Sequence, residues 1–282
     1  MNTDSFYCIG STHHECQDYA LADEELVLLS DGCSSAKNSD WGARLLVKCF
    51  QNSMQFLEYT DQCFFNIVKE AKNHVNNLFL NEDCLAATIL GVFYKDPGQN
   101  YNKYISTFIV GDGYVFARNR DNKNVSIWNH QFKSGAPWYP YYLLHQGLKN
   151  DYLKQFGGSK FTRARRDFDK NREEIDLGFY YRTPQEFETS DGMRIHGNGF
   201  DIQTYDLVGI ASDGLGSFIR QEVGNTSITN KPLDACQVLL DLLDFKTLEG
   251  RFVQRRCQRF LKDCAGKGIK HTDDFSIGVI HV

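Results

Sequence analysis

The stretch Glu25–Gly32, ELVLLSDG, decides how this chain is read. A short apolar run ends in a turn dipeptide, which predicts a buried strand with Asp31 at its C-terminal tip. The pattern recurs. FIVGDG (108–113) ends in Asp112-Gly113, and LVGIASDG (207–214) ends in Asp213-Gly214. Near the C-terminus the order is reversed: Asp273 and Asp274 stand just before FSIGVI (275–280). Ser190-Asp191-Gly192 has the same letters but no apolar strand before it. One Asp-Gly is an ordinary turn, and the glycine lets the backbone bend sharply. Several on buried strands imply more, because strand tips lying side by side would gather carboxylates in one place. Crowded, desolvated carboxylates repel, so they hold protons or take up a cation. Hard oxygen donors suit Mg²⁺ or Mn²⁺ rather than structural zinc.

Working outward, Ser39 or Asp40 caps a helix running through WGARLLVKCFQNSMQFLE (41–58), and a second helix covers residues 62–80. CLAATILGVFY (84–94) and NKYISTFIVGDGYVFARN (102–119) are rich in β-branched and aromatic residues and read as paired strands. LDACQVLLDLLDF (233–245) and TLEGRFVQRRCQRFLKDCA (247–265) have helical periodicity. Strands fall early, in the middle and at the end, with helices in blocks between them. That order favours α+β with antiparallel sheets over a doubly wound parallel sheet. The chain reads as one domain over 1–282, with a poorly periodic, flap-like excursion at about 129–205. There, Trp138, Tyr139, Tyr141 and Tyr142 read as a local mini-core or as a means of substrate choice. Arg163, Arg165 and Arg166, near Asp167, Asp169, Glu173 and Glu174, read as a solvated helix face or as a site for an acidic or phosphorylated partner. Arg251, Arg255, Arg256 and Arg259 alternate with Phe252, Val253 and Phe260, as on an amphipathic helix.

The composition is that of an ordinary globular chain. Its net charge of -5 and lack of a basic stripe disfavour nucleic acid and anionic membranes as partners. No apolar run approaches the roughly 20 residues that span a bilayer, and no signal peptide is visible. The nine cysteines are scattered without CxxC pairs, so a disulfide framework or zinc ribbon is not expected. Cys49 and Cys236 read as buried small hydrophobes, and a reducing, cytoplasmic location is the expectation. Calcium-loop spacing is absent.

Taken in order, the motifs resemble the type 2C, metal-dependent family of protein phosphatases, most closely its compact bacterial branch. GSTHHECQDYAL (10–21), LVLLSDGCSSAKNSDWGA (26–43), CLAATILGVF (84–93), FIVGDGYVFARN (108–119), VGIASDGL (208–215) and TDDFSIGVI (272–280) carry the resemblance, over nearly the whole chain except about 129–205. The resemblance implies a central β-sandwich of two antiparallel sheets flanked by helices on both outer faces. It implies that Asp31 bridges two divalent cations, Mg²⁺ or Mn²⁺, with the Gly32 carbonyl on one and Asp213 and Asp273 completing the other. Asp18 would hold water beside the metals, and Asp112 would bind a weaker third ion or brace the site. Asp274 stands where an Asn is common. Gln17 stands where eukaryotic members have a Glu, as it does in the bacterial branch. The Arg that grips phosphate in many members is absent, with His13 or His14 available in its place.

The expected activity is that of a serine/threonine phosphoprotein phosphatase in signalling, with a water or hydroxide bridging the two cations and no covalent phosphoenzyme. A phosphorylated protein and a partner kinase follow as expected partners. The alternatives are a non-catalytic binding module on the same fold and a phosphatase of small phosphometabolites. Retention of Asp31, Asp213 and Asp273 argues against the first.

Overall fold

The structure is a computed structural model that describes residues 1–54, 61–95, 103–132, 134–156, 161–176, 185–187, 196–223 and 228–282. In chain order the first elements are β1 (Asn2–Cys8), β2 (Asp18–Ala22), β3 (Leu26–Asp31), α1 (Ser39–Met54) and α2 (Asp61–Asn77). Next come β4 (Ile89–Lys95), β5 (Tyr104–Val110), β6 (Gly113–Asn119), β7 (Val125–Phe132), α3 (Gln146–Phe156) and β8 (Phe161–Phe168). They are followed by β9 (Glu174–Ile175), β10 (Gln185–Phe187), β11 (His196–Asp201) and β12 (Tyr205–Ala211). The chain ends with β13 (Phe218–Val223), β14 (Ile228–Pro232), α4 (Ala235–Leu242), α5 (Phe252–Gly266), β15 (Ile269–His271) and β16 (Phe275–His281).

Two antiparallel sheets carry the molecule. One has the order β1-β16-β12-β6-β7-β8-β10, with β9 on β8; the other has the order β11-β5-β4-β3-β2. Period-two alternation sorts their side chains into layers. Val27 and Leu29 of β3, Leu90 and Val92 of β4, Val115 and Ala117 of β6, and Val208 and Ile210 of β12 meet between the sheets. Leu28, Phe93 and Phe108 point the other way, against Leu46, Phe50, Phe64 and Val68 of α1 and α2. Phe116, Phe275, Ile277 and Val279 face Leu239, Leu242, Phe252 and Phe260 of α4 and α5. The result is a helix–sheet–sheet–helix sandwich. A small third sheet, β14-β13-β15, stands beside it.

The expected pairing of 84–94 with 102–119 is present as β4 on β5. β5 belongs to one sheet and β6 to the other, so the Gly111–Gly113 corner, with Asp112 in it, carries the chain across the sandwich. Gly111 (φ 115°) and Gly113 (φ 135°) supply the backbone conformation this corner needs. Arg163, Arg165 and Arg166 lie on strand β8, not on a helix, because β8 pairs along its length with β7. Their charges are largely met nearby: Arg165 binds Asp167 (2.9 Å), and Arg166 binds Glu174 (2.8 Å) and Asp234 (2.6 Å). The segment after β7 builds sheet as well as loop, since β8 extends one sheet and β11 edges the other. Within it, Trp138 (1% exposed), Tyr139 and Tyr141 are buried against the α1–α2 layer, which is the mini-core reading. The second turn-like triplet, Ser190-Asp191-Gly192, lies outside the described residues.

The first helix is described to Met54, and the second ends at Asn77 rather than residue 80. Six of the nine cysteines, including Cys49 and Cys236, are buried. Among the described residues, no helix is long and apolar enough to cross a membrane.

Candidate metal centre

The sheets place five aspartates at one end of the sandwich. Asp18 opens β2 and Asp31 closes β3, directly opposite each other in the antiparallel register. Cross-strand partners have Cα atoms only about 4.5–5.5 Å apart. Asp112 is at the sheet-crossing corner, Asp213 follows β12, and Asp273 precedes β16. Asp213 is their common neighbour: its negative charge acts on Asp18, Asp31, Asp112 and Asp273.

Four of the five carboxyls respond as crowding requires. Burial, then the charges of Asp18 and Asp213, hold Asp31 well above the usual carboxylate range. Burial lifts Asp18 to about 7 against hydrogen bonds that favour its charged form. Burial and the Asp213 charge lift Asp112 to about 7. Burial, with Asp213, also raises Asp273. Without a cation, protons must be retained in this cluster.

The scaffold around the carboxylates is tightly built. Asp18 is 1% exposed. Its Oδ2 accepts a hydrogen bond from Ser212 Oγ (2.8 Å), and Ser212 Oγ in turn accepts from the Ser276 amide (2.9 Å). Asp18 Oδ1 is buried with no hydrogen-bond partner. The Asp31 amide donates to Thr88 Oγ1 (3.1 Å), and Ser30 Oγ donates to the Thr88 carbonyl (2.6 Å). Gln17 does not add a charge: its side-chain amide donates to Ser39 Oγ at the start of α1 (2.9 Å).

Two of the Asp-Gly glycines, Gly32 and Gly214, serve a purpose other than a sharp bend. Neither Gly32 nor Gly214 has a positive φ. A Cβ on Gly214 would stand 1.8 Å from the Asp274 carbonyl oxygen, and one on Gly32 would stand 2.8 Å from that of Ser39. Gly10 likewise presses on Asp273, where a Cβ would lie 2.3 Å from its carbonyl carbon. These glycines let separate backbones touch around the carboxylates.

His13 reaches the cluster, while His14 is exposed. His13 Nε2 lies 3.3 Å from Asp273 Oδ1 and its Nδ1 lies 3.1 Å from Asp274 Oδ2. Burial opposes its charge, but the adjacent Asp274 and Asp273 carboxylates outweigh it, so its pKa is raised. Both ring nitrogens therefore face carboxylates, not an open phosphate pocket as expected from the sequence.

A cluster of hard oxygen donors, four of them with pKa raised by burial and crowding and one of those four, Asp18, with an orphaned buried oxygen, fits small divalent cations. Asp31, Asp213, Asp273 and Asp112, with the Gly32 carbonyl, are the residues that would hold them. Two supporting residues escaped the sequence reading. Ser212 and Ser30 each precede a cluster aspartate in the repeated Ser-Asp-Gly, a signal that was visible but read only for its Asp and Gly.

The family model described as Protein phosphatase 2C matches residues 11–134, the segment holding Asp18, Asp31 and Asp112. No curated protein matches the chain. Among solved structures, the serine/threonine phosphatase PstP/Ppp of Mycobacterium tuberculosis is similar at TM-score 0.51 and 11% identity, over 99% of this chain and 97% of that one. Stp1, a serine/threonine phosphatase from Staphylococcus aureus, is similar at TM-score 0.52 and 12% identity, over 100% and 95%. A bacterial serine phosphatase is similar at TM-score 0.52 and 11% identity, over 100% and 98%. At these identities the structural likeness establishes the fold. The family match adds a sequence likeness over residues 11–134, within that fold.

Proposed function

We propose that this protein hydrolyses phosphoserine and phosphothreonine in protein substrates at the five-aspartate cluster, using two divalent cations, Mg²⁺ or Mn²⁺. The convergence of Asp31, Asp213, Asp273, Asp112 and Asp18 on one end of the sandwich carries the reading.

When bound, the cations would activate water near neutral pH and neutralise phosphate oxygens during in-line attack. The chain's own residues prepare the place. Asp31, which adjoins both Asp18 and Asp213, would hold both ions. Asp18, fixed by Ser212, keeps its free Oδ1 as an acceptor that orients a nucleophilic water. Asp213 and Asp273 would complete one site, and Asp112, at the sheet-crossing corner, would brace it or hold a weaker third ion. No cysteine is needed, and Cys33 has no neighbouring arginine of the kind a thiol-based phosphatase requires. The absence of a basic stripe favours a peptide substrate over nucleic acid.

The substrate class is tested by comparing a phosphothreonine peptide, the matching phosphotyrosine peptide and a small sugar phosphate, each with Mn²⁺. The expected result is a kcat/KM for phosphothreonine at least about tenfold above the other two, a difference of about 1.4 kcal/mol in transition-state stabilisation. Preference for the sugar phosphate would move the protein to the small-molecule alternative.

A further inference from the structure

We propose that His13 and Asp274 form a positioning pair for the metal ligand Asp273; this rests on the two-cation reading of the site. Asp274 is 2% exposed and has no solvent to satisfy it. Its Oδ1 accepts the Gly10 amide and its Oδ2 accepts the Gln17 amide, both at 2.6 Å. One buried carboxylate thus ties down both ends of the loop that carries His13. The same Oδ2 lies 3.1 Å from His13 Nδ1, an ion-pair contact that sets the carboxylate beside the ring. The far side of the ring then presents Nε2 to Asp273 Oδ1 at 3.3 Å.

Asp273 Oδ1 receives a second contact, from the Asp274 amide at 2.9 Å. Its Oδ2 makes no hydrogen bond among the described residues. One carboxylate oxygen is held by the Asp274 amide with His13 at ion-pair distance, and the other is left for a cation. Ligand carboxylates that are hydrogen-bonded in this way hold their orientation, and losing such outer partners costs metal affinity. The geometry also explains why position 274 needs a carboxylate. An amide there has a single acceptor oxygen, so its NH₂ would face the Gly10 or the Gln17 N–H. His13 is therefore a positioning residue that acts through Asp273.

The test is Mn²⁺ binding to the unaltered protein and to His13→Ala, Asp274→Asn and the double variant, measured by calorimetry and by the electron paramagnetic resonance of free Mn²⁺. Each single variant should raise the Kd of one site about 10–100-fold, and the double variant should lose no more than the worse single one. His13 is at the surface (20% exposed), so His13→Ala should melt in EDTA as the unaltered protein does. Equal affinity in His13→Ala, or tighter binding from removal of a cationic ring, would overturn the pair. So would additive losses in the double variant. If the unaltered protein bound no Mn²⁺, the two-cation reading itself would fall, and this proposal with it. Loss of Asp274→Asn to misfolding would leave His13→Ala to decide.

Discussion

Replacing Ser212 with alanine tests the scaffold at its most buried polar joint. Ser212 Oγ donates to Asp18 Oδ2 and accepts the Ser276 amide, joining β2, the end of β12 and β16 through one hydroxyl. In Ser212→Ala the Ser276 amide loses that acceptor, at about 1–3 kcal/mol for a buried donor left unmet. The bond to Asp18 is also lost, worth about 1 kcal/mol if Asp18 is protonated and more if it is charged. Together these give a loss of about 2–4 kcal/mol. Unfolding entropy near 2.1 cal/mol/K per residue over 282 residues is about 0.6 kcal/mol/K. The expected fall in Tm is therefore about 3–7 °C, read by calorimetry in EDTA so that metal binding does not contribute. A Tm within about 1 °C of the unaltered protein would refute the claim that this hydroxyl joins the three strands.

The remaining predictions concern the same end of the molecule. Asp18 and Asp112 have folded pKa values of about 7, raised from 3.8, so the folded state binds their protons more tightly than the unfolded chain. Their contribution is full below about pH 4 and is lost as pH rises through about 7. In EDTA the Tm should fall across that window, and saturating Mn²⁺ should flatten the curve; a Tm in EDTA that rises or stays level would contradict the crowded-carboxylate description. Gly214→Ala, whose Cβ would meet the Asp274 carbonyl at 1.8 Å, should destabilise by at least about 1–3 kcal/mol. Gly216→Ala, whose nearest neighbour would be 4.0 Å away, should change stability far less, and equal melts for the two would count against the close approach. Burial raises the Cys33 thiol, but hydrogen bonds from Ser35 and Tyr139 and the Ser35 and Ala36 amides lower it further, while burial raises other thiols such as Cys49 to about 12. Cys33 should thus react first with a thiol reagent near neutral pH, and an unchanged fast phase in Cys33→Ser would show otherwise.

Much of this arrangement was legible because strand patterns and turn residues act locally. ELVLLSDG and LVGIASDG gave strands with aspartates at their tips, and β3 and β12 end there. What stayed hidden depends on distant partners. The register that sets Asp18 opposite Asp31 and the corner that moves Asp112 between sheets are properties of pairing, which a period-two pattern does not encode. Arg163, Arg165 and Arg166 misled because a dense run of mixed charge resembles a solvated helix face. On β8 the charges are met instead by Asp167, by Glu174 and, from the start of α4, by Asp234. Asp274 looked like a simple exchange for a common Asn. Its two backbone partners, Gly10 and Gln17, lie more than 250 residues away in sequence, so only the fold reveals why a carboxylate is there.

The central claim is that the aspartate cluster is a metal-dependent phosphatase centre. The most direct test is phosphate release from a phosphothreonine peptide, with Mn²⁺ and with EDTA, for the unaltered protein and for Asp213→Asn. The account predicts release that requires Mn²⁺, that EDTA abolishes, and that Asp213→Asn loses while keeping its fold. Release that persists in EDTA, or that Asp213→Asn leaves intact, would contradict it.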